Sequence, residues 1–272
     1  MAITTLDGAI AGMKMPRPYI KGGITMAAVG ALRGWTPWYV AGNPGASTAN
    51  SAGVNGAALT PASSAVEGRI PRTNPTGGQS AYLARLSMAP SAAGSLWLID
   101  RLWHNSGLST TLTTAQSITP AALPARDVAA SVNGDGIMAA VEWSATGGAG
   151  TPTVTLTYTD ELGNTGPSAT LTGVTTPPVG TFEIFTLAAG DNGIRAPTSF
   201  IQSATRTSGT MHLVLFRVIA QMECSLGNIG TAIDVLTGGR PQIFDDSILQ
   251  LVWFPSSTTA VNIIGSYIET QG

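Results

Sequence analysis

The 272-residue chain is long enough for one large domain or two modest ones, and its 43% hydrophobic content excludes a disordered composition. Charged residues make up only 10%, against roughly 25% in an ordinary soluble domain, and the net charge of −2 leaves no electrostatic case for nucleic acid or an anionic membrane surface. A single cysteine, Cys224, excludes an intrachain disulfide and a thiolate metal cluster.

In chain order, TTLDGAIAG opens as a short amphipathic stretch with Thr5 or Asp7 as a helix cap, and Pro16 and Pro18 end it. The N-terminus has no basic region ahead of an apolar one, so a secretory signal is not expected and a cytoplasmic origin is. GWTPWYVAGNPG (Gly34–Gly45) reads as extended and aromatic, and Pro37 opposes a central strand there. From Ala46 to Gln79 the text is Gly, Ala, Ser, Asn and Pro, which builds no core of its own. Residues 1–79 are therefore expected to form an N-terminal arm with extended loops, and 80–272 a β-sandwich domain.

AYLARLSM reads as a strand or a helical turn. LWLIDRLWHNSGL (Leu96–Leu108) reads as a core strand that runs into an N-S-G turn. GIMAAVEWSA is another strand. In Thr151–Val174, Val154, Leu156 and Tyr158 alternate with threonines, and DELGNTG supplies a turn, which predicts a hairpin. GTFEIFTL alternates again, and DNGIRAP reads as a turn. MHLVLFRVIAQMEC (Met211–Cys224) is apolar on both faces, as a central strand is, or one covered by another subunit. Thr231–Leu236 is expected as a short helix closed by Gly238 and Gly239, and ILQLVWFP and AVNIIGSYIE as the last two strands. The fold class that follows is all-β, an antiparallel β-sandwich or jelly roll with a long irregular N-terminal arm.

No constellation of reacting groups emerges. His104 and His212 are the only histidines and lie in apolar strand text, without the spacing of a zinc site. G-x-S-x-G is missing, and NPTGGQS lacks the Lys of a phosphate loop. Asp100 and Arg101, as strand neighbours, point to opposite faces and read as separate partners rather than a couple. Asp245–Asp246 and NGDG (Asn133–Gly136) read as turns before they read as calcium ligands. No catalytic residue, cofactor or metal is expected. Trp35, Pro37, Trp38 and Tyr39 are expected at an assembly contact.

The stretches TTLDGAIAGM, GGQSAYLARL, LWLIDRLWHNSGL, VTLTYTDELGNTGPSATL and AIDVLTGGRPQIFDDSILQLV, spread over nearly the whole chain, resemble a family of uncharacterised virion structural proteins of tailed bacteriophages. The hairpin departs from that pattern at Asp160–Glu161 and Gly166–Pro167, where a more polar, Arg-containing return is expected. The resemblance implies no enzymatic activity. It implies a place in the virion and does not by itself settle head against tail; low charge, the long Gly/Ala/Pro arm and the β-rich C-terminal two-thirds lead to the expectation of a capsid-attached decoration, cement or minor capsid protein. The expected partners are other copies of the chain, as a homo-oligomer with a trimer favoured, and the major capsid protein; nucleic acid and membrane are not expected. Two rival readings are a tail tube or baseplate component and a carbohydrate- or receptor-binding module that stacks glycans on Trp35, Trp38, Trp97 or Trp103. Sparse charge agrees with assembly, because an uncharged surface is prone to association unless neighbours cover it.

Overall fold

Alternation of apolar and hydroxyl side chains, broken by glycine and proline, makes strands almost everywhere. The computed structural model describes residues 3–25, 30, 32–47, 56–61, 68–119 and 122–272. α1 (Leu6–Ala11), β1 (Arg17–Ile24), β2 (Arg33–Trp35), β3 (Gly42–Asn43) and β4 (Ala57–Ala58) come before residue 80. β5 (Ala81–Pro90), β6 (Gly94–Leu108), β7 (Gln116–Ser117) and β8 (Ile137–Ala145) lead to the hairpin β9 (Thr153–Asp160) and β10 (Thr165–Thr172). Then come β11 (Thr181–Ile184), β12 (Ile194–Gln202), β13 (Thr210–Cys224), β14 (Thr231–Asp234), β15 (Gln242–Ile243), β16 (Leu249–Pro255) and β17 (Val261–Gln271). Every pairing between these strands is antiparallel, so the chain is all-β as its patterning predicts.

A barrel sits at the centre. Strands run β13-β8-β11-β2-β16-β6, and β6 pairs back onto β13 to close the ring, with β4 beside the far half of β6. One open sheet, β14-β5-β17-β1-β3 with β15 on β5, flanks the barrel; another, β10-β9-β12-β7, is the third layer. Three cores follow. Tyr19, Leu86, Ile263 and Tyr267 of the first sheet pack with Trp35, Leu98, Met222 and Trp253 of the barrel wall. Leu156, Tyr158 and Phe200 pack with Trp103, Trp143, Leu213 and Leu215. Ile99, Ala140, Phe182, Val214, Phe216 and Val252 fill the barrel. This explains why β13 is apolar on both faces. His212, Val214, Phe216 and Val218 point into the ring, and the alternate residues point out to a flanking layer, all within one chain.

Other expectations meet the coordinates directly. Thr5 caps α1, its Oγ1 accepting from Gly8 N at 3.0 Å. The 151–174 hairpin forms, with Val154, Leu156 and Tyr158 buried and Asp160 accepting both the N–H and the side-chain amide of Asn164 across the turn.

Four expectations are corrected. The stretch before residue 80 is not an arm where it is described: β1 pairs with β17, β2 is a barrel stave between β11 and β16, and β4 pairs with β6. Tyr19, Ile24 and Trp35 anchor β1 and β2 in a core, and within Ala46–Gln79, whose composition builds no core of its own, Ile70 joins that core and Leu59 packs on Ile248. Residues 1–2, 26–29, 31, 48–55 and 62–67 of that stretch lie outside the described residues. Thr231–Asp234 is a strand on β5, not a helix; the Asp234 carboxylate then accepts from the N–H groups of Leu236 and Thr237 and turns the chain. N-S-G is not a turn but a β-bulge, because Asn105 pairs with Leu213 and Leu108 with Met211, and Gly107 takes up the extra residue at φ 79°. In DNGIRAP only the first residues turn; Ile194 already begins β12.

Candidate functional site

The barrel interior is apolar at one end and polar at the other. Arg101, His104 and Ser106 reach the polar end from β6, Glu142 from β8, His212 from β13, Gln250 from β16, and Thr36 from just beyond β2. All seven are buried. A bulge between Arg101 and Trp103, which face the consecutive residues Phe216 and Leu215, brings Arg101 to the same side of β6 as His104, and Ser106 follows two residues on.

Arg101 Nη1 donates to Glu142 Oε2 at 2.7 Å and to Gln250 Oε1 at 3.2 Å, and Thr36 Oγ1 donates to Glu142 Oε1 at 2.7 Å. Burial alone pushes the Glu142 carboxyl up, but the charge of Arg101, the neighbouring His212 and the bonds from Thr36 and Arg101 outweigh it and hold the group below the usual carboxylate range. The His104 and His212 rings stack with centroids 4.5 Å apart. Burial pulls His212 down to about 4, against the opposing pull of Glu142, so it is neutral at pH 7.

Ser106 and His104 resemble a nucleophile and its base, since His104 Nε2 lies 2.8 Å from Ser106 Oγ. Proton bookkeeping decides otherwise. Arg101 Nη2 lies 2.8 Å from His104 Nδ1, and a guanidinium only donates, so Nδ1 is the acceptor. The neutral ring then carries its proton on Nε2 and donates to Ser106 Oγ. A general base needs a lone pair there, with a carboxylate on the other nitrogen. The arrangement is polarised the wrong way to activate the serine.

Asp100, on the opposite face of β6, belongs to a different network. Ser247 Oγ donates to its Oδ2 at 2.6 Å and Ile248 N to its Oδ1 at 2.9 Å, with Arg126 Nε at 3.3 Å and Arg217 Nη2 at 4.0 Å. Arg126 also donates to the carbonyls of Asp246 and Leu59. Asp100 and Arg101 are thus two separate buried-pair partners, as strand alternation predicts.

The acid pair Asp245–Asp246 sits on a turn, Asp246 at φ 61°, beside a hollow of about 360 Å³ that Arg126 and Phe244 also line. Asn74 bonds both the backbone N–H and the carboxylate of Asp246. In NGDG, Asp127 accepts from the N–H groups of Gly134 and Asp135 and from Ser131, which folds the loop around a carboxylate. Among the described residues no three His, Cys, Asp or Glu side chains converge as metal ligands. Glu183 is raised by burial, bonded to Trp143 Nε1 at 2.9 Å and to Val174 N, beside a small hollow of about 160 Å³.

The aromatic cluster expected at an assembly contact is not on the surface. Trp35 is fully buried and bonds Val179 O at 2.9 Å; Pro37 and Trp38 are buried, and Tyr39 is half-buried, edge-on to both indoles at 5.2 and 5.4 Å. Trp35, with Tyr39 against it, packs in the core between the barrel wall and the first sheet. Burial of Trp35, Trp38 and Trp103 removes them as glycan platforms as well, and Trp97 is half-buried against Phe254 at 4.4 Å.

What the sequence missed is where the exposed apolar residues lie. Met15, Leu162 and Leu236 are 84%, 79% and 77% exposed, and Ile20 and Ile264 stand side by side on the outer face of the first sheet. Period-two alternation marks a buried face but cannot tell a solvated outer face from one awaiting a neighbour. No protein-family model, curated protein or solved structure matches the chain.

Proposed function

We propose that the chain is a structural protein of a tailed-bacteriophage virion, attached to the capsid as a decoration, cement or minor capsid component. The observation that carries the reading is the division of polarity. The chain spends its scarce charge inward, in the Arg101–Glu142 and Asp100–Arg126 pairs, and leaves large apolar side chains in solvent. A protein that works as a scaffold needs that division: a braced frame and a surface that neighbours cover. The resemblance of the stretches around α1, β6 and the β9–β10 hairpin to virion proteins supports neighbours of that kind, with other copies of this chain and the major capsid protein as the partners proposed. The mechanism is binding. Many copies bridging shell subunits bury area at each contact and raise the barrier to disassembly.

The test is mass spectrometry of purified particles followed by electron microscopy. Stoichiometric presence with density on the icosahedral shell is the expected result. Density on the tail axis would move the protein to the tail, and absence from the particle would overturn the reading.

A further inference from the structure

The outer face of the sheet β14-β5-β17-β1 carries two adjacent rows of opposite relief. Across the four strands, Ala232, Ser87, Ser266 and Pro18 lie side by side, all small, with the Ser87 and Ser266 hydroxyls 2.8 Å apart. Two residues along, Ala89, Ile264 and Ile20 form the next row. Ile264 is 52% exposed and Ile20 46%. Over β14, β5 and β17 the small row floors an open hollow of about 560 Å³, with Ser87, Ala232 and Ser266 beneath it and Ala89 and Ile264 of the next row at its side. Among the described residues, charge on this face lies at one end, where Arg85 and Asp234 are cross-strand neighbours of opposite sign.

We propose that this face docks onto the same face of a second copy of the chain through a two-fold axis. A ridge beside a hollow on one surface is self-complementary, which is what an isologous contact requires. With the axis lying between the rows and along them, rotation swaps ridge and hollow. Ile264 of each copy then enters the depression at Ser266 of the other, and Ile20 covers Pro18. The small row lets the two sheets approach to the usual ~10 Å of face-to-face packing.

The area agrees with this occupant. Three strands about 4.8 Å apart, over about seven residues of ~3.3 Å, with the four residues of β14 beside them, give roughly 400 Å² of plane. The projecting side chains of Ile20 and Ile264 add to it. Side-chain relief raises the accessible area above that of the plane, toward the low end of specific interfaces, about 600 Å² per partner. A two-fold pair makes the unit even-numbered, in place of the trimer expected from the sequence. The contact belongs to the free protein and does not rest on the virion reading: a dimer absent from particles would sink that reading and leave this one standing.

Light scattering coupled to size-exclusion chromatography on the full chain is the test. The wild type is expected at twice 27.7 kDa. Ile264→Lys and, separately, Ala232→Glu place a charge in the contact, and each is expected to elute as a monomer with an unchanged circular dichroism spectrum. Two sites on different strands keep the test decisive if one variant misfolds. Leu162→Lys, at the far hairpin tip, is expected to stay dimeric. A monomeric or trimeric wild type, or a dimer that neither folded variant disrupts, overturns the proposal.

Discussion

Arg101 ties the polar end of the barrel together, because one guanidinium holds a carboxylate, an amide and an imidazole at once. Removing it strands Glu142 as a buried, uncompensated charge. Arg101→Met is therefore expected to cost about 3–5 kcal/mol in urea unfolding; a loss under about 1 kcal/mol would show that the pair is not fully desolvated. His212 makes a second prediction, through pH. Its folded value of about 4 lies below the 6.5 of an unconstrained histidine, so below pH 6.5 the unfolded chain takes up the proton first. Stability is fully present above about 6.5 and falls as pH drops toward 4, by on the order of 3 kcal/mol. His212→Leu should flatten that slope between pH 6.5 and 5, and an unchanged slope would contradict the assignment. Sequence reading singled out Asp100, Arg101 and His104 and separated the first two correctly. It missed Glu142 and His212 as their partners, because 41 residues separate Arg101 from Glu142 and only ring closure brings those strands together.

Among elements, β2 carries the most structure for its length. Three residues connect β11 to β16, and the Trp35–Trp253 pairing is the link that completes the ring. Trp35→Ala is expected to lose about 3–5 kcal/mol, and hydrogen exchange should show deprotection spreading from β2 to β11 and β16. Protection loss confined to residues 33–35 would mean that the ring does not unfold as a unit. The β9–β10 hairpin was legible because turn chemistry and alternation are both local. β2 was not, because a barrel stave of three residues has no periodicity to detect, and Pro37, which argues against a central strand, sits just past its end. The Thr231–Asp234 strand was misread for a related reason: Ala and Ile fit either geometry, and pairing with β5 decides.

At the scale of the whole molecule, a central barrel braced by two sheets gives three cores and a surface with little charge. Alternation, the all-β class and the two-faced β13 were visible in the sequence. The closure of the barrel and the relief of the outer sheet face were not, since both depend on register between strands far apart in the chain. The most direct measurement is the composition and image of the purified phage particle. The account predicts this chain in many copies on the icosahedral shell. A particle that lacks it, with the protein left free in the lysate, would contradict the account.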